Sequence, residues 1–76
     1  IDDRRFLRDL GQRVRQLRQT RGYTQEQLAR KCDLHRTFIG SVERGERNVS
    51  VLNLRLIARV LRVPMAALVE GSEQRN

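Results

Sequence analysis

The sequence predicts an all-α domain, a bundle of five short helices around one core. Three observations carry this. Apolar residues recur at spacings of three and four almost throughout, the period of a helix with one buried face. No stretch alternates apolar and polar residues with β-branched enrichment, so strand signals are nearly absent. Helix-stopping residues, Gly22, Gly45 and Pro64, fall between the periodic segments and keep each helix short. At 76 residues there is room for one domain only.

The first helix is expected over about residues 3–21. Leu7, Leu10, Val14 and Leu17 form its apolar stripe, with Phe6 at the flank; Arg4, Arg8, Arg15 and Arg21 occupy the opposite, solvated face. Gly22 ends it. Thr24 has the hydroxyl to cap a second helix, about 25–32, and Gln27 three residues on completes a capping box. Leu28, Ala29 and Cys32 face inward. Asp33-Leu34 connects tightly to a third helix, about 36–44, with Ile39 and Val42 inward, and Gly45 stops it. After a polar loop, Ser50 caps a fourth helix, about 51–61, whose inner stripe is Leu54, Ile57, Ala58 and Leu61. Proline disfavours helix in the residue before it and starts the next helix well, so Arg62-Val63-Pro64 marks a break. A fifth helix is expected over about 64–70, and 71–76 as a frayed polar tail.

Composition narrows the function. Sixteen Lys and Arg against nine Asp and Glu give a net charge of +7, which points to a polyanionic partner. All but Lys31 of the sixteen are arginine, whose planar fork fits phosphate and guanine edges in a two-pronged way. Codon bias could produce the arginine preference but not the charge. Cys32 is the only cysteine and His35 the only histidine, which excludes an intrachain disulfide and a structural zinc site. A reduced, cytoplasmic setting is expected. No apolar run approaches the roughly 20 residues that span a bilayer, and no secretory leader is visible, although Ile1 is not a natural start. There is no carboxylate pair in a cleft-forming scaffold, no Ser/His/Asp set and no glycine-rich phosphate loop, so no catalysis, cofactor or small-molecule ligand is expected.

Two short helices joined by a three- or four-residue turn make a helix-turn-helix, here over about residues 25–44. The helices cross steeply, so a small residue is needed at their closest approach; Ala29 supplies it, and Leu28, Cys32, Ile39 and Val42 fill the angle. Arg36, Thr37, Gly40, Ser41 and Arg44 are then expected to face outward, a surface suited to a DNA groove.

The text Thr24-Gln25-Glu26-Gln27-Leu28-Ala29, Leu34-His35-Arg36-Thr37-Phe38-Ile39 and Val42-Glu43-Arg44-Gly45 resembles the phage-repressor (Cro-type) helix-turn-helix family, over about residues 14–69. With Glu43-Arg44-Gly45-Glu46-Arg47-Asn48 it is most similar to controller proteins of restriction–modification systems. The resemblance implies a lambda-repressor-like fold and a regulator that binds the major groove of a palindromic operator as a homodimer. It implies base reading by Arg36, Thr37 and Arg47, and backbone contacts by Gln25, with His35, Phe38, Ser41 and Asn48 as further candidates. It pairs Arg18 with Glu43 as a structural ion pair, with Glu43 inward. It places the dimer contact at Met65, Leu68 and Val69, which could otherwise be core.

The chain departs from the family in places. Cys32-Asp33-Leu34 stands where Ala-Gly-Val is frequent, so Asp33 must take a left-handed or turn conformation. Arg62 replaces a frequent glycine, and Val63-Pro64 replaces the usual Ser or Asp cap. Cys32 reads as a small core residue rather than a redox switch, and His35 as a turn or phosphate contact rather than a metal ligand. Phe38 admits two readings, a groove-side contact or a partly buried plug. Two other functions compete: an antitoxin-like protein-interaction module, against which the short tail argues, and RNA binding, which usually needs stacking aromatics where only Phe6, Tyr23 and Phe38 exist.

Overall fold

The computed structural model describes the backbone of residues 3–73 and the side chains of residues 3–69. It contains five helices, α1 (Asp3–Thr20), α2 (Gln25–Cys32), α3 (Arg36–Glu43), α4 (Val51–Leu61) and α5 (Met65–Glu73), and no strand among the described residues. Helix α1 packs against α3 and α5, α2 against α3 and α4, and α4 against α5. The expected boundaries hold within a residue for four helices. The fifth runs further than expected, taking residues 71–73 into helix, and 74–76 lie outside the described residues.

The helix ends follow from local chemistry. Thr24 Oγ1 accepts from the Gln27 amide at 3.0 Å while Gln27 Oε1 accepts from the Thr24 amide at 2.8 Å, the reciprocal capping box. Ser50 Oγ accepts from the Asn53 amide and starts α4. The first four helices all end alike: a left-handed residue donates to the carbonyl three back, and the next residue to the carbonyl five back. Gly22 and Tyr23, Asp33 and Leu34, Gly45 and Glu46, and Arg62 and Val63 make these bonds. The turn requires a left-handed residue. Gly22 and Gly45 adopt it freely, whereas Asp33 (φ 56) and Arg62 (φ 60) adopt it at a steric cost.

One core joins the helices. Leu10 and Val14 of α1, Leu28, Ala29 and Cys32 of α2, Ile39 and Val42 of α3, Leu54, Ile57, Ala58 and Leu61 of α4 and Leu68 of α5 are buried together. Leu7 and Leu17 are half-buried at its edge, and Phe6 is exposed. Helices α1 and α3 approach so closely that a Cβ on Gly11 would stand 2.2 Å from the Val42 carbonyl oxygen. Gly11 lies three before Val14 and four after Leu7, on the apolar stripe, so its spacing marks it as a contact position.

Two arginines, Arg21, expected to be solvated, and Arg13, tie the first helix to later elements. Arg21 Nε donates to the Leu61 carbonyl at 2.8 Å and closes the end of α4; Arg13 Nε donates to the Ala67 carbonyl of α5. The Leu61 carbonyl ends α4 and lacks an intrahelical donor, which is why a long cation settles there.

Candidate nucleic-acid interface

The recognition unit is α2, the turn through Asp33 and Leu34, and α3. An ion-pair network fixes its angle. Glu43, at the end of α3, accepts from Arg18 Nε of α1 at 2.6 Å and from Arg18 Nη2 at 3.1 Å, a two-pronged pair. Gln25, the first residue of α2, adds its Nε2 to the same carboxylate at 3.0 Å, and Arg18 Nη1 donates to the Tyr23 carbonyl. Only 11% of the Arg18 side chain and 3% of the Glu43 side chain are exposed. Three helices therefore meet at one buried charge pair. Gln25, expected to touch the DNA backbone, has one amide hydrogen on Glu43 and a second left for an outside acceptor.

Helix α3 presents Arg36 and Thr37 exposed in its first turn. With His35, Glu26 and Arg30 they line an open cleft of about 540 Å³ between α2 and the start of α3. Thr37 Oγ1 lies 3.3 Å from His35 Nδ1. His35 and Asn48 are exposed, but Asn48 lies apart from Arg36, at the rim of a cavity of about 300 Å³ shared with Phe6, Val49 and Val69.

Three expected positions, Gly40, Ser41 and Leu68, need correction. Gly40 and Ser41 do not face solvent. Gly40 is buried beneath the Arg44 guanidinium and the Gln25 amide, which stand 3.2 and 3.5 Å from where its Cβ would be. Ser41 is 9% exposed, and its hydroxyl donates to the Phe38 carbonyl at 2.8 Å and accepts from Arg47 Nε at 3.1 Å. The side chain is thus sealed by its neighbours rather than turned outward. Phe38 is the plug of its two readings: its ring is half-buried against the core, and the Arg47 guanidinium covers it at 5.3 Å. Leu68, expected at a dimer contact, is 1% exposed within the single chain, because α5 lays it between α1 and α4. Met65 and Val69 beside it are only half-buried.

Arg44, expected in α3, is its C-cap and pairs with Glu46 at 3.1 Å. No signal singled out the apolar surface of α4, where Val51 and Leu52 are 69% and 73% exposed. Cys32 is sealed in the core, and burial raises its thiol pKa from 9.0 to about 11. Among the described residues no cluster of His, Cys, Asp and Glu could hold a metal ion, and no helix is long and apolar enough to cross a membrane.

A capped short helix, a tight left-handed turn and a second short helix with its N-terminal arginine exposed define a helix-turn-helix domain. The chain belongs to the helix-turn-helix family, whose profile matches residues 14–68. It is 48% identical over 61 residues to control protein C.BamHI of Bacillus amyloliquefaciens, covering 79% of this chain and 75% of that one. It superposes on the restriction–modification controller protein C.AhdI of Aeromonas hydrophila with a TM-score of 0.80 and 44% identity, covering 82% of this chain and 94% of that one. The biofilm master regulator SinR, solved in complex with DNA, aligns with a TM-score of 0.75 and 33% identity over 78% of this chain and 95% of its own. The expected similarity to controller proteins therefore holds.

Proposed function

We propose that this domain is a sequence-specific transcriptional regulator that binds duplex DNA as a homodimer and controls restriction–modification genes in the bacterial cytoplasm. One observation carries the reading: Arg36 and Thr37 stand exposed in the first turn of α3, on a unit held rigid by the Arg18–Glu43–Gln25 network. In this reading α3 enters the major groove and Arg36 donates two hydrogen bonds to guanine O6 and N7. Thr37 offers a hydroxyl and a methyl to a neighbouring base, and Arg47 reads a further base or the adjoining phosphate. Gln25, His35 and Asn48 contact the backbone. The controller relatives support the class of genes, and the net charge of +7 supports a salt-dependent phosphate contribution.

Dimerisation would set two recognition helices about one helical turn apart on a palindromic operator. Its contact is proposed around Met65 and Val69, with Leu68 supporting them from within. The test is selection of bound duplexes from a random pool, followed by affinity measurements on the selected site. Arg36→Ala and Arg47→Ala should each lose roughly 1–3 kcal/mol and relax preference at one position. Equal binding of wild type and both variants to every duplex would remove specific readout.

A further inference from the structure

The sealed hydroxyl of Ser41 has a consequence for Arg47. The loop after α3 carries Arg47 six residues beyond Ser41, yet its Nε returns to the Ser41 oxygen at 3.1 Å. The Ser41 proton is committed to the Phe38 carbonyl at 2.8 Å, so the oxygen turns its lone pairs toward the arginine. The chain of bonds has one direction, from Arg47 Nε–H to Ser41 O–H to the Phe38 carbonyl, and such chains strengthen each member. Beneath the guanidinium lies the Phe38 ring, 5.3 Å from the central carbon. The ring is itself anchored on the core.

We propose that Ser41 is a positioning residue that selects which edge of Arg47 meets DNA, an inference that rests on the DNA-binding reading above. A guanidinium has two edges able to grip an acceptor pair: one formed by Nε and a terminal nitrogen, the other by the two terminal nitrogens. With Nε held by Ser41, only the terminal edge remains. Phe38 fixes the plane, so Arg47 is left with one face, one edge and little rotamer freedom to lose on binding. An arginine on a flexible loop would otherwise be ordered at the moment of contact, which weakens binding.

The test is a double-mutant cycle on the selected duplex with Ser41→Ala, Arg47→Ala and both changes together. Ser41→Ala should weaken binding roughly two- to tenfold, the range of one net hydrogen bond. It should have no further effect once Arg47 is alanine. A loss of equal size in both backgrounds means that Ser41 acts through the fold alone and overturns the proposal. Nitrogen-15 NMR of the free protein gives an independent readout. The Arg47 Nε–H signal should be resolved and slow to exchange in the wild type, and should collapse toward solvent-exposed arginine values in Ser41→Ala. An unchanged signal also overturns it. Failure of the wild type to bind any duplex overturns the DNA reading instead, and the NMR arm still decides whether Ser41 holds Arg47.

Discussion

Replacing Glu43 with alanine should destabilise this domain more than any other single charge removal. The carboxylate accepts three hydrogen bonds, from Arg18 Nε, Arg18 Nη2 and Gln25 Nε2, in a site where its side chain is 3% exposed. Exposed pairs contribute at most about 1 kcal/mol. Breaking a buried pair by removing one partner costs about 3–5 kcal/mol, because the remaining charge is left uncompensated away from water. Arg18 would keep only the Tyr23 carbonyl. A chain of 76 residues has a total stability of about 4–11 kcal/mol, at roughly 0.05–0.15 kcal/mol per residue. The change therefore removes a large share of it. At about 4–8 °C per kcal/mol for a domain of this size, the midpoint followed by far-ultraviolet circular dichroism should fall by about 12–40 °C. Replacing both partners, Arg18→Met with Glu43→Leu, should recover much of the loss, since a well-packed apolar pair can match a buried ion pair. A fall of less than about 4 °C for Glu43→Ala would mean that the pair behaves as a surface pair. A double variant as unstable as the single one would mean that uncompensated charge is not the cause.

Three further outcomes follow from close contacts and burial. Gly11→Ala should cost at least about 1–3 kcal/mol, because its methyl would sit 2.2 Å from backbone that cannot move aside without separating α1 from α3; an unchanged thermal midpoint would contradict that packing. Cys32 should make stability fall with pH in the alkaline range. Its thiol titrates near 9.0 when unfolded and near 11 when folded, so the unfolded chain releases its proton first and gains relative to the native state across that window. The effect amounts to about 3 kcal/mol at about 1.4 kcal/mol per pH unit, and urea titrations at pH 8 and pH 11, compared with Cys32→Ala, measure it. Leu68→Glu should unfold the chain rather than merely dissociate a dimer, since Leu68 is 1% exposed in a single copy; a folded monomer by sedimentation and circular dichroism would return Leu68 to the interface.

The helices and their ends were legible because they depend on neighbours in sequence. The capping box of Thr24 and Gln27 and the stop at Gly22 follow from side chains within a few residues, whereas the left-handed turn at Asp33 was implied by the family resemblance. The inner stripes followed from period alone. Helix α5 ran past its expected end because nothing in Gly71-Ser72-Glu73 forbids another turn; polar composition is a weaker signal than a proline or a left-handed glycine. The tertiary uses of α1's arginines were not legible. Arg13 flanks the apolar stripe and Arg21, four after Leu17, continues it past the end of α1, and only the approach of α5 and the end of α4 supplies the carbonyls they reach.

The errors on α3 share one physical origin. A helical wheel ranks positions by angle from the core and treats the opposite side as water. On α3 that side is not water. Arg44 and Gln25 cover Gly40, and Arg47 folds back over Ser41 and Phe38. Small residues there appear as groove-facing gaps in sequence, whereas in three dimensions they are seats for long side chains arriving from α2 and the following loop. A small residue on the outer side of a recognition helix thus has two uses. It lets DNA approach, or it receives an arginine and aims it. In the proposed reading Gly40 and Ser41 serve the second use, and the surface offered to DNA is built one layer further out, from Arg36, Thr37 and Arg47. On that reading specificity would depend on residues that never touch a base, and a substitution at Ser41 should alter what Arg47 reads while leaving α3 folded.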